Sequence, residues 1–146
     1  MKITQFEDIQ AWKMARKLTR EIYRLGQSRF PRDFSLRDQI QRAAVSIMAN
    51  IAEGFDSQSR PEFIRFLSYA RRSTSEVQSH LYAALDRDYL TELEFKDVYR
   101  DAVCVKNLIG GFIRYLDGKK RTGALEHGST ETRPPKESID LGGEIL

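Results

Sequence analysis

The chain has 146 residues, 40% of them hydrophobic and 31% charged, with a net charge of +3 at pH 7. That length suits one domain with or without a tail, and the balance is ordinary for a soluble helical protein. No apolar run approaches the roughly 20 residues of a membrane span, and MKITQFEDIQ lacks the basic start and apolar core of a signal peptide, so a cytoplasmic protein with no membrane partner is expected.

The one cysteine, Cys104, lies in the apolar run DAVCVKNLI and reads as a buried structural thiol. Two histidines, His80 and His127, without HExxH or paired-Cys spacing, argue against a metal site, and no cofactor motif stands out. Charge is unevenly placed. Residues 1–72 hold 14 Lys/Arg against 8 Asp/Glu, residues 73–118 hold 5 against 8, and residues 119–146 hold 5 against 5. A basic first half points toward nucleic acid or an acidic partner, unless folding merely intermixes the charges.

Apolar residues at Ala11, Ala15, Leu18, Ile22 and Leu25 follow a helical period and predict a first helix from Glu7 or Asp8 to Leu25, closed by Gly26. Trp12 flanks that stripe. Lys13, Arg16, Lys17, Arg20 and Arg24 form a basic ridge about 16 Å long on another face, interrupted by Glu21. In the linker SRFPRDFS, Phe30 and Phe34 are expected to pin the loop to the bundle.

A second helix is predicted from an N-cap at Ser35, with Asp38 in its first turn, to a stop at Gly54. Leu36, Ile40, Ala43, Ala44, Ile47 and Ile51 make its core stripe. Gln39, Arg42, Ser46, Ala49, Asn50 and Glu53 gather on a neighbouring face. Small residues there allow close helix approach, and polar groups in such a seam need partners.

Ser59, Pro61 and Glu62 carry the signals of a third N-terminus, and the apolar period then runs to about Asp86. Arg65 and Arg72 project away from that stripe, and Arg71 lies nearer the core edge. Thr91 to Glu94, T-E-L-E, reads as another capping box, opening a fourth helix with a stop at Gly118. Gly110-Gly111 inside it costs roughly 1 kcal/mol per glycine relative to Ala, which suggests a close backbone contact or a bend. Residues 119–146 lose the pattern and read as a flexible or disordered tail, although ESIDLGGEIL keeps a few apolar residues suited to weak docking. The expected architecture is all-α: an antiparallel up-down-up-down four-helix bundle over residues 1–118 with a disordered C-terminal tail over 119–146.

The runs FEDIQAWKMARKL (6–18), FP (30–31), LRDQIQRAAVSIMANIAEGF (36–55) and FLSYARRSTSEVQSHL (66–81) resemble the four-helix-bundle proteins encoded in intervening sequences of 23S ribosomal RNA genes. The likeness covers about residues 5–116. It implies a homopentamer around a central axis. It also implies a distant similarity to the accessory bundle proteins of diversity-generating retroelements, which are basic pentamers that bind nucleic acid and a reverse transcriptase. This chain departs from the family pattern at Ala70-Arg71-Arg72-Ser73, where Gly-Ser usually follows the alanine, and at Met48, where many relatives carry Pro.

Three functions follow for weighing. A nucleic-acid-binding oligomer would use Lys13, Arg16, Lys17, Arg20 and Arg24 first, then Arg42, Arg65, Arg71 and Arg72, to neutralise RNA or DNA phosphates without reading bases. Tyr23 and Tyr69 are candidates for base stacking, although packing is the commoner use of such rings. An adaptor ring would dock a protein partner through the Ser46/Asn50/Glu53 face and the back of the third helix. An enzyme would need a base for Ser46, and none is evident; no catalytic residue is assigned. Ser46, Asn50, Glu53, Gly54, Ser73 and Glu76 instead read as a structural or interface motif joining the second and third helices.

Overall fold

The computed structural model describes residues 2–30, 32–126 and 139–140. Four helices build it: α1 (Gln10–Ser28), α2 (Phe34–Asp56), α3 (Arg60–Asp86) and α4 (Glu92–Glu126). A two-residue strand β1 (Lys2–Ile3) and a 3-10 turn (Phe6–Asp8) precede α1. The connections 29–33, 57–59 and 87–91 are too short to cross the bundle, so successive helices run antiparallel. Each helix packs on the next, and α4 returns against α1 to close the ring.

The helical periods place the core where the sequence puts it. Ala11, Ala15, Leu18, Ile22 and Leu25 are buried from α1, and Ile40, Ala43, Ala44, Ile47 and Ile51 from α2. Phe63, Leu67, Ala70, Thr74, Val77 and Leu81 meet them from α3, and Val98, Ala102, Val105, Ile109, Phe112 and Leu116 from α4. Phe63 ties three helices together. Its ring stands edge-on to Phe55 of α2 (6.1 Å between centroids) and to Phe112 of α4 (5.0 Å).

Helix ends differ from expectation in five places. α1 starts at Gln10 rather than at Glu7 or Asp8, which belong to the preceding 3-10 turn. Gly26 lies inside α1, which continues to Ser28, and Gly54 lies inside α2, which continues to Asp56. Neither adopts a positive φ, so neither acts as a left-handed stop. At the start of α2 the cap is Asp33, whose carboxylate accepts from the Leu36 N–H at 3.1 Å, rather than Ser35. α4 continues past Gly118 to Glu126. The tail expected over 119–146 therefore begins inside a helix, and β2 (Ile139–Asp140) pairs antiparallel with β1. The remainder of that tail, 127–138 and 141–146, lies outside the described residues.

Two predicted caps form as read. The Ser59 hydroxyl accepts from the Glu62 N–H at 3.2 Å. Thr91 and Glu94 exchange two bonds: Thr91 N–H to Glu94 Oε1 at 3.0 Å, and Glu94 N–H to Thr91 Oγ1 at 3.1 Å. Of the two loop phenylalanines, Phe30 is buried, but Phe34 is 60% exposed and lies under the Arg37 guanidinium instead.

Two glycines separate close packing from open space. A Cβ on Gly54 would come within 2.8 Å of Phe63 Cδ2 and of Phe66 Cβ, an atom fixed to the α3 backbone. A Cβ on Gly110 would meet nothing nearer than Arg114 Nη1 at 3.5 Å. Gly110 therefore does not mark the close backbone contact suggested by its position. Gly54→Ala is expected to destabilise the fold by about 1–2 kcal/mol, overpacking outweighing its better helix propensity. Gly110→Ala should instead stabilise it by about 1 kcal/mol. Urea unfolding of the two variants checks the opposite signs.

Candidate nucleic-acid interface

The α1 ridge is exposed along its whole length: Lys13, Arg16, Lys17, Arg20 and Arg24 all face solvent. Their surroundings differ. Lys17 lies 3.6 Å from Asp101 of α4, whose carboxylate is only 12% exposed, so this cation helps hold α1 against α4. Arg24 is paired with Glu21 one turn earlier, at 2.8 Å, which together with the accompanying hydrogen bonds raises its pKa. Arg16 sits over the Trp12 ring at 5.8 Å. Lys13 and Arg20 have no carboxylate within 4 Å among the described residues.

The second set of cations divides similarly. Arg65 pairs with Glu62 at 2.9 Å. Arg42 is exposed on α2 at the edge of a depression of about 280 Å³. Arg71 and Arg72 are both exposed, and α4 brings Lys106 and Arg114 opposite them across a groove of about 510 Å³. Gly110, Ser75 and Asn107 complete its walls, and among the described residues no carboxylate lines it. Lys106 and Arg114 were missed in the sequence because they lie in its acidic stretch. The available signal was their spacing, Lys106–Gly110–Arg114, which puts them on one face of α4 with a glycine between.

The polar motif of α2 resolves into a hydrogen-bonded seam. Ser46 Oγ lies 3.0 Å from Ser73 Oγ on α3. Asn50 Nδ2 donates to Ser46 O at 2.8 Å and to Ser46 Oγ at 3.0 Å. Gly54 belongs to the same seam through its contact with Phe63 and Phe66. Glu53 does not join it; its carboxylate is exposed, and its carbonyl accepts the closing N–H of α2 from Ser57 at 2.9 Å. Glu76 is exposed and lines the smaller depression beside Ser46, Ser73 and Arg42. His80 lines it too, one turn beyond Glu76, a spacing visible in the sequence as i, i+4. Among the described residues, no hydrogen bond joins His80 to either serine; Ser46 and Ser73 bond each other instead.

Cys104 is half-buried and free. Among the described residues, no group of three or more His, Cys, Asp or Glu could hold a metal ion, and no helix is long and apolar enough to cross a membrane. At the loop end of the bundle, Tyr89 donates its hydroxyl to Asp33 Oδ2 at 3.0 Å, which raises the tyrosine's pKa. Arg29 reaches Glu94 Oε2 at 2.9 Å.

Fold and surface together define a helical-bundle protein with a polar packing seam inside and unneutralised cations outside. The family model for the 23S rRNA-intervening sequence protein matches residues 7–111, and the chain belongs to that family. Among solved structures it is similar to a Bacteroides thetaiotaomicron protein described as of unknown function and from the S23 ribosomal protein family. The match has 25% identity and a TM-score of 0.67, and covers 70% of this chain and 97% of that one. No curated protein matches the chain.

Glu94 is held below the ordinary glutamate value of 4.5 by the Thr91 backbone N–H first; burial opposes this, and the Arg29 hydrogen bond and charge and the Thr91 hydroxyl lower it further. Asp8 is likewise lowered, chiefly by the Thr4 N–H. A carboxylate with a lowered folded pKa contributes its full stability above the unfolded value and loses it as pH falls through the folded value. Melting temperature should therefore drop on acidification below about 4.5. Glu94→Gln should lower it at pH 7 and flatten the acid limb, as thermal melts across pH would show.

Proposed function

We propose that this chain is a non-enzymatic, cytoplasmic nucleic-acid-binding protein that works as a homo-oligomer. One observation carries the reading. All nine cations nominated from the sequence are exposed, and only three of them, Lys17, Arg24 and Arg65, are paired with a carboxylate among the described residues. Lys13, Arg16, Arg20, Arg42, Arg71 and Arg72 keep their charge available to a polyanion. An exposed cation gains by replacing the condensed counterions of a nucleic acid, whatever its base sequence. A net charge of +3 makes one copy a weak binder. The family resemblance supports a ring of five, which would present every such cation five times and raise the effective concentration for each further contact.

A second reading, an adaptor ring that docks a protein partner, is favoured by an exposed aromatic cluster. The half-exposed Tyr82 packs on Phe95 (4.9 Å) and Tyr99 (5.4 Å) at the α3–α4 surface. Light scattering at micromolar concentration tests the ring that both readings use; a monomer there removes the avidity they share.

The nucleic-acid reading is tested by filter binding of RNA and DNA over a salt series. Binding should weaken steeply with salt. Lys13→Gln with Arg20→Gln removes two cations that form no ion pair among the described residues, and should leave the fold intact while making the salt slope shallower by roughly 1.5 per chain engaged. Retention of neither nucleic acid at low salt would overturn the proposal.

A further inference from the structure

The α3–α4 groove concentrates charge in a way the bundle itself does not require. Arg71 and Arg72 stand on one wall, Lys106 and Arg114 on the other. None of the four has a carboxylate within 4 Å among the described residues. Their recorded partners are neutral: Lys106 Nζ donates to Gln78 Oε1 at 3.4 Å, and Arg72 lies 5.8 Å over the Tyr69 ring. Four like charges around one cleft repel each other, and no described residue of its lining offsets that repulsion.

The groove floor is equally unexplained by packing. Gly110 weakens α4 by about 1 kcal/mol relative to alanine, and no close neighbour demands it. It sits between Lys106 and Arg114, where a larger side chain would fill the space between the two cations. The missing side chain leaves the cleft open between the two walls.

We propose that this groove is a binding site for linked phosphates, meaning two or more phosphates in one molecule. The cations are divided between two walls, and Lys106 and Arg114 are separated by roughly 12 Å along α4. One small anion cannot satisfy both ends, whereas a chain of phosphates can run along the floor and meet arginine forks from either side. Ser75 and Asn107 add neutral hydrogen-bonding groups at the walls. The same chemistry is supplied by a nucleic-acid strand and by a free polyphosphate. The inference shares Arg71 and Arg72 with the function proposed above and rests on it to that extent.

Titration calorimetry of the full chain with sodium tripolyphosphate, and separately with a short single-stranded oligonucleotide, tests it. Tripolyphosphate is expected to bind at low salt with one site per chain. Arg72→Gln with Lys106→Gln should weaken it at least about tenfold. Gly110→Leu, which keeps all four charges and fills the floor, should do the same, while Lys96→Gln, on α4 outside the groove, should not. Circular dichroism establishes that the variants fold, and the charge-removing pair stands alone if the leucine variant does not. Displacement of the oligonucleotide by tripolyphosphate assigns the groove to a strand; independent binding of the two assigns it to free polyphosphate. Absence of tripolyphosphate binding, or undiminished binding by the folded groove variants, overturns the proposal. Oligonucleotide binding without tripolyphosphate binding does so too and leaves the nucleic-acid reading standing. The converse result supports the groove and overturns that reading.

Discussion

The close approach of α2 to α3 is the constraint on which the bundle depends. It is made possible by what is absent. Gly54 has no side chain where Phe63 and the Phe66 Cβ press in, and Ala43 and Ala44 keep the middle of α2 thin. The Ser46–Ser73 bond then fixes how far one helix slides along the other. Apolar contact alone tolerates small axial shifts, but a partly buried hydroxyl pair between two helices favours the register in which both partners are satisfied. That register decides which turn of α3 faces α4. Arg71 and Arg72 reach the groove because Ser73, their neighbour, is held against α2.

The loop end of the bundle is secured by a different chemistry. Phe30 is buried and packs on Tyr89, with 5.8 Å between their rings, and Tyr89 in turn bonds Asp33. Asp33 is also the N-cap of α2, and Glu94, in the first turn of α4, takes Arg29 from the end of α1. Two residues that close helix ends locally thus also join distant loops. The turn that carries Tyr89 includes Asp88 at a φ of 60°, the one positive-φ non-glycine residue among those described.

The core was legible in the sequence because burial repeats with the helical period, and every residue nominated for the α1 stripe is buried. Caps made by an uninterrupted local pattern, Ser59 and Thr91, were legible for the same reason. Gly26 and Gly54 misled because a glycine serves either a left-handed stop or a tight contact, and only the neighbouring helix decides between them. Asp33 was hidden behind Ser35, an equally good cap two residues on, and its bond to Tyr89 spans 56 positions. The groove was half legible. Arg71 and Arg72 stand side by side in the sequence, but their partners Lys106 and Arg114 join them only through the α3–α4 pairing. Ser46 bonds Ser73 across the two helices, Asn50 bonds Ser46 from within α2 and does not itself cross to α3, and Glu53, assigned to the same face by angle, points its charge to solvent.

Trp12 is the sole tryptophan of the chain. It is half-buried, edge-on to Phe6 at 5.1 Å and close beneath the Arg16 guanidinium, so its indole lies between the 3-10 turn and the cationic face of α1. Its emission therefore carries a regional label without any engineering. An event on the α1 face changes the polarity around the ring directly, whereas one in the α3–α4 groove can reach it only by moving the bundle. The molecule holds its one tryptophan reporter beside one of its two cationic surfaces and away from the other.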